Sequence, residues 1–252
     1  MMFKLNGVAS TTLPGVEAGL VSWPSLPGVE IDSVRAPGSD GRILADASLS
    51  HARFTFDVTV DGKTMQELFD RTARFAAFVD PKRGPGRLDP TGGGVWEFTE
   101  AVLAEELEWV SHGDFMRTTA VFETDPFARP VTDETWARTG VGPLTVKRSK
   151  GTLASFPTIE IVGALTAAQT LTVTVGTYKC VITGPVASGE TVRLDFDRFE
   201  FARWKGTTKV ASLVANMSSL DRLMLWPDQT YSVSVATTGT LSTVKILANA
   251  RN

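Results

Sequence analysis

Between Val58 and Pro81 the hydrophobic period of the sequence switches once, and that switch limits what the whole chain can fold into. Up to Val60 the pattern is that of a strand. Phe54, Phe56, Val58 and Val60 alternate with Arg53, Thr55, Asp57 and Thr59, the period-2 signature of a sheet with one buried face. Asp61-Gly62 breaks the alternation. From Thr64 onward Met65, Leu68, Phe69, Thr72, Phe75, Ala76 and Val79 recur at spacings of three and four, which predicts an amphipathic helix. Thr64 with Glu67 three residues on forms a capping box, in which each side chain satisfies an orphan backbone donor. Asp80-Pro81 stops the helix, because the residue before a proline is driven out of the α region. No second long helix is predicted, so the expected fold is mainly β with one long helix.

At 252 residues the chain has room for one large all-β domain or two ordinary ones, each with a buried core. Its 42% hydrophobic and 21% charged content is that of a soluble globular protein. No apolar run approaches bilayer length, and the N-terminus has no basic segment followed by an apolar one, so neither a membrane partner nor export is expected. Cys180 stands alone, which excludes an internal disulfide and a cysteine-cluster metal site. Beside Val181 and Ile182 it is expected to be a small core residue. The net charge of −3 hides an asymmetry. Residues 1–130 hold 12 basic and 19 acidic side chains, whereas residues 131–252 hold 13 and 9. Neither half has the basic excess of a nucleic-acid-binding domain.

Turn-formers crowd the first 42 residues: Leu13-Pro14-Gly15, Trp23-Pro24, Leu26-Pro27-Gly28 and Pro37-Gly38-Ser39-Asp40-Gly41. Short strands are expected between them, at Ile31 to Arg35 and Arg42 to Ala45. After the helix, Lys82 to Gly94 is too long and too rich in Gly and Pro for an ordinary hairpin connection. Strands are expected at Val95 to Phe98, at Ala101 to Trp109 and at Phe115 to Thr124, with Asp125-Pro126 closing a first domain over residues 1–130. Residues 131–157 read as a polar connection with one strand, Leu144 to Arg148. From 158 to 252, short alternating strands separated by glycines at hairpin spacing predict a β-sandwich.

Sites for chemistry are few. Gly62-Lys63-Thr64 lacks the glycine a phosphate-binding loop needs five positions earlier, where Asp57 stands. Gly92-Gly93-Gly94 leads into a strand and offers no helix N-terminus to a dinucleotide. His51 and His112 are too few for a histidine metal site, and no nucleophile elbow accompanies either. No cofactor, metal or catalytic residue is expected. Among carboxylates, Glu106 with Glu108 and Asp195 with Asp197 each fall two apart on an expected strand, the pattern of a solvated strand face. The six tryptophans are scattered, as buried aromatics are.

The order of these parts resembles the distal tail (Dit) family of long-tailed bacteriophages (the siphophage-type tail tip) and related tail-like particles. Four places carry the likeness. Pro37-Gly38-Ser39-Asp40-Gly41 is similar to the family's Gly-Asp-Gly-type turn, and Arg53 to Asp80 to its strand-helix unit. Asp125-Pro126-Phe127-Ala128 is similar to the acidic-Pro-aromatic-Ala close of its first domain. Pro157-Thr158-Ile159-Glu160-Ile161 resembles the first strand of its second, and Val192-Arg193-Leu194-Asp195 and Val244 to Arg251 also fit.

The resemblance implies an N-terminal α+β ring-forming domain of sheets plus one helix, followed by a C-terminal galectin-like β-sandwich. It implies a non-enzymatic virion protein of the tail tip, assembled in the host cytoplasm into a ring, usually of six subunits. Such a ring joins the tail tube protein to the tail-tip hub protein and anchors baseplate, tape-measure or receptor-binding parts. A closed head-to-tail ring needs two different patches on each subunit. Lys82 to Gly94 with its flanks is the expected arm to a neighbour, with Lys82, Arg83, Arg87 and Trp96 as interface residues. Glu105, Glu106 and Glu108 are the expected channel lining, since acidic walls let DNA pass without binding it. The compact C-terminal half leaves no room for an inserted carbohydrate-binding module. The rival reading is a carbohydrate-binding or glycan-hydrolysing tail module, with Trp204 or Trp226 stacking on sugar.

Overall fold

The strand predicted around Phe54 spans Ala52–Asp61 and buries Ala52, Phe54, Phe56, Val58 and Val60 on one face. Its register is fixed on both sides, since a slip of one residue would turn all five to solvent. Phe115–Thr124 pairs with it along its length, Phe122 opposite Phe54, and Val16–Ser22 pairs on the other side. This computed structural model describes residues 2–24, 29–34 and 43–252; the turn at Pro37 to Gly41 and Leu26-Pro27-Gly28 lie outside the described residues. Among the described residues the fold is mainly β with one α-helix, and it divides into two units, Met1–Val131 and Thr132–Asn252.

In the first unit the central sheet runs in the order Val8–Ala9, Lys4–Leu5, Gly86–Asp89, Trp96–Leu103, Phe115–Thr124, Ala52–Asp61, Val16–Ser22. The helix Met65–Phe78 buries Leu68, Thr72 and Phe75, and Phe75 and Val79 join a core of Phe3, Phe54, Phe56 and Phe122. Phe3 packs on Phe56 at 4.6 Å and on Phe122 at 5.5 Å between ring centres. The predicted cap is present in altered form. Thr64 Oγ1 accepts from the Glu67 amide at 3.2 Å, while Glu67 reaches one residue past the cap to accept from the Lys63 amide at 2.8 Å. That bond, ahead of the nearby Arg71 guanidinium, holds the Glu67 carboxyl below its ordinary range.

Two expectations for this unit are corrected. Met65, Phe69 and Ala76 were counted with the buried stripe, but all three are exposed. At 100° per residue they fall roughly 50–90° round from the Leu68–Thr72–Phe75–Val79 line, beyond what one sheet covers. The strand expected from Ala101 to Trp109 is instead the end of Trp96–Leu103, followed by an irregular run. Leu107 and Trp109 still pack against the core, so their spacing reported burial and not a ladder.

The second unit is a sandwich. One sheet runs Thr135–Thr139, Thr240–Leu247, Thr158–Ala164, Thr191–Asp195, Glu200–Lys205, Thr208–Ser212, and the other Gly142–Lys147, Thr230–Thr237, Thr170–Val175, Tyr178–Thr183. Ile159, Ile161, Leu194 and Ile246 from the first meet Val173, Cys180, Ile182 and Val235 from the second in one core. The stretch 131–157, expected as a connection with one strand at Leu144 to Arg148, contributes a strand to each sheet. Thr135–Thr139 pairs with the last strand and Gly142–Lys147 with Thr230–Thr237. Its polar composition misled because only one face of each strand is covered. Arg148 is buried there, with its guanidinium donating to the carbonyls of Lys150, Leu153 and Leu225 at 2.6–2.9 Å. Asp195 and Asp197 are not a solvated pair either. The buried Asp195 carboxylate accepts from the Asp197 and Arg198 amides at 3.1 and 3.0 Å, and Asp197 pairs with Arg251.

Candidate functional site

The segment expected to reach a neighbour folds back into its own unit. Pro81–Arg83 makes a tight turn in which the Asp80 carboxylate accepts from the Lys82 amide at 2.9 Å. Gly86–Asp89 is then an interior strand, paired with Lys4–Leu5 on one side and Trp96–Leu103 on the other. Asp89 is buried, and its carboxylate holds the following turn by accepting from the amides of Thr91 (3.1 Å) and Gly94 (2.6 Å). The Gly and Pro residues of the segment serve two tight turns, one on each side of this strand. Of the residues assigned to the interface, Lys82 and Arg83 are exposed and have no ion-pair partner among the described residues. Arg87 pairs with Glu97 at 2.7 Å, and Trp96 packs partly buried against the core.

The acidic residues do come together. Glu105, Glu106 and Glu108 line an open concavity of about 700 Å³ on the sheet face away from the helix, with Asp57, His112 and Arg117. Arg53 neutralises Glu105, and Arg117 binds Asp57 through two hydrogen bonds of 2.6 Å. Glu106 and Glu108 are exposed and have no cationic partner among the described residues. His112 stacks on Phe115 with ring centres 5.0 Å apart. Among the described residues no three His, Cys, Asp or Glu side chains are grouped as metal ligands.

Two further surfaces were not read as such in the sequence, although short strands were expected at Ile31 to Arg35 and Arg42 to Ala45. Val29–Val34 and Ile43–Leu49 pair with each other and, among the described residues, with no third strand. The ribbon exposes Val29 and Ile31 on one face, 48% and 64% accessible, opposite Leu49 and Ala47 in register. A two-stranded ribbon is marginal in water by itself. The other is the flank of the helix, where Met65 and Phe69 are 51% and 56% accessible beside Ala73 and Ala76. The signal for both was present. The ribbon's strands were expected, and the helix's apolar set was wider than the core beneath it.

The described residues thus form a helix-bearing sheet unit followed by a β-sandwich, with an exposed apolar ribbon and helix flank on the first. The fold is Dit-like: the chain is similar over 98% of its length, and 97% of the other chain, to the Dit protein (gp 19.1) of phage SPP1, described as a paradigm of the hub adsorption apparatus in phages infecting Gram-positive bacteria. The TM-score is 0.68 at 16% sequence identity. The phage P2 baseplate in its activated conformation matches over the same shares at 11% identity, with a TM-score of 0.46, too low to carry weight. No protein-family model and no curated protein matches the sequence.

Proposed function

We propose that this chain is a structural component of a phage tail tip, assembling with copies of itself into a ring of six that joins the tail tube to the tail-tip hub and anchors baseplate or receptor-binding parts. The observation that carries this reading is the likeness to SPP1 Dit across both units at once. The first unit is the ring-forming part. Its ribbon and helix flank are the two different patches that head-to-tail closure requires, one for each neighbour. Lys82 and Arg83 contribute to that contact, and Glu105, Glu106 and Glu108 face the channel, where the carboxylates of Glu106 and Glu108, which no cation offsets among the described residues, repel DNA phosphates. The role is mechanical, with no reaction assigned, and its place is the virion tail after assembly in the host cytoplasm.

Electron microscopy of the purified chain tests this directly. Class averages showing closed annuli with a central channel are expected. Open filaments, or particles without a channel at every concentration, would overturn the reading.

A further inference from the structure

We propose that the outward face of the six-stranded sheet in the second unit holds a saccharide-binding groove, with Trp204 as the platform for a sugar ring and Glu160, Arg193 and Lys245 as partners for a vicinal diol. All of these residues belong to one unit of one chain, so the inference does not depend on ring assembly.

Four strands build the groove, which encloses about 510 Å³. Ladder register sets its two rows. In the first, Glu160 lies opposite Lys245 on one side and Arg193 on the other. In the second, Val162 lies between Thr243 and Thr191, and Thr191 is opposite Trp204. The rows are two residues apart along each strand, roughly 7 Å, about the width of a pyranose.

The charged row is aligned but slack. Lys245 Nζ is 3.7 Å and Arg193 Nε 4.0 Å from the Glu160 carboxylate, close enough to attract and too far to hydrogen-bond. Neither Glu160 nor Lys245 makes a side-chain hydrogen bond to another described residue. The buried atoms Arg193 Nε and Trp204 Nε1 have no hydrogen-bond partner among the described residues, and the bond Arg193 makes there, to Asp195, is long at 3.4 Å. Its guanidinium sits 5.7 Å from the centre of the Trp204 ring, fixing the indole while leaving it part exposed. Unmet hydrogen-bonding capacity concentrated in a groove calls for a partner that supplies it.

The charge order selects the class of that partner. An anion would meet Glu160 at the centre, and a cation would meet Lys245 and Arg193 on either side. An apolar ligand would strip water from all three without returning hydrogen bonds. A neutral polyol fits. Each hydroxyl of a vicinal diol donates to the central carboxylate while its oxygen accepts from a flanking cation. The apolar C–H face of the ring then lies on Trp204, and the Thr191 and Thr243 hydroxyls border it.

The test is titration of the full chain, followed by NMR or calorimetry, with methyl glycosides of glucose, galactose and N-acetylglucosamine and with their trisaccharides. At least one is expected to bind, with affinity in the range of about 0.1–10 mM usual for so small and solvated a ligand. Trp204→Ala and the isosteric Glu160→Gln are each expected to weaken it roughly tenfold or more. Trp226→Ala, which removes a half-exposed tryptophan outside the groove, is expected to leave it unchanged. Glu160→Gln preserves the shape of the sheet, so it decides the matter if Trp204→Ala fails to fold. No binding by any probe, or equal affinities for wild type and Glu160→Gln, would overturn the proposal.

Discussion

The Glu134 carboxylate accepts two hydrogen bonds from Ser149, one from its hydroxyl at 2.6 Å and one from its amide at 2.8 Å. The Lys150 amide adds a third at 3.1 Å. Next to it, Asp133 accepts from the amides of Asn249 and Ala250 at 2.6 and 3.2 Å. The entry to the sandwich is thereby stitched to its own first loop and to the end of the chain.

This stitch gives a pH signature. Burial, the largest single influence on the Glu134 carboxyl, pushes its pKa up. The Ser149 hydroxyl, the two amides and Arg148 together outweigh it and hold the group below its ordinary 4.5. A depressed folded-state pKa means stability that is whole above the unfolded pKa and lost as pH falls through the folded one. Glu134→Gln is expected to melt below wild type at neutral pH, with the gap narrowing as pH falls below 4.5. Thermal melts followed by circular dichroism at several pH values check this. A gap independent of pH would refute it.

Arg148 is expected to be among the costliest single sites. Replacing it with methionine removes the donor from three carbonyls of the loops it holds. The expected loss is about 3 kcal/mol or more in denaturant unfolding. Arg148→Lys should rescue only part of it, because an ammonium cannot reproduce the fork of the guanidinium.

The helix start offers a milder test. Thr64→Ala deletes the cap to the Glu67 amide and is expected to cost about 1 kcal/mol. A loss near zero would mean that the bond from Lys63 to Glu67 caps the helix alone.

Substitutions on the uncovered surfaces should separate folding from assembly. Phe69→Asp and Ile31→Asp change side chains more than half exposed in the single chain, so melting temperatures of the dissociated protein should hardly move. Burying a carboxylate in an apolar contact is strongly unfavourable, so either variant should shift the association midpoint by an order of magnitude or more, read by sedimentation. Unchanged association would remove these faces from the ring contact.

Much of the fold was legible because the signals were local. The helix followed from its period and its flanking Thr64 and Pro81, and the Ala52–Asp61 strand from a strict alternation. Cys180 is buried, as its apolar neighbours implied. What failed was reading where cover ends. Leu107 and Trp109 looked like strand because they are partly buried against the core, and Phe69 looked buried because it lies near a buried stripe. Thr135–Thr139, with Trp136 as its one large apolar residue, carried too little contrast to stand out. The groove was illegible for another reason. Trp204 drew notice alone, but Glu160, Arg193 and Lys245 come from strands far apart in the sequence and meet only through ladder register.

Native mass decides the central claim most directly. Light scattering across a concentration series should show the 27.1 kDa chain giving way to one discrete species of six subunits, without a continuum of larger ones. A folded monomer at every concentration would contradict the account.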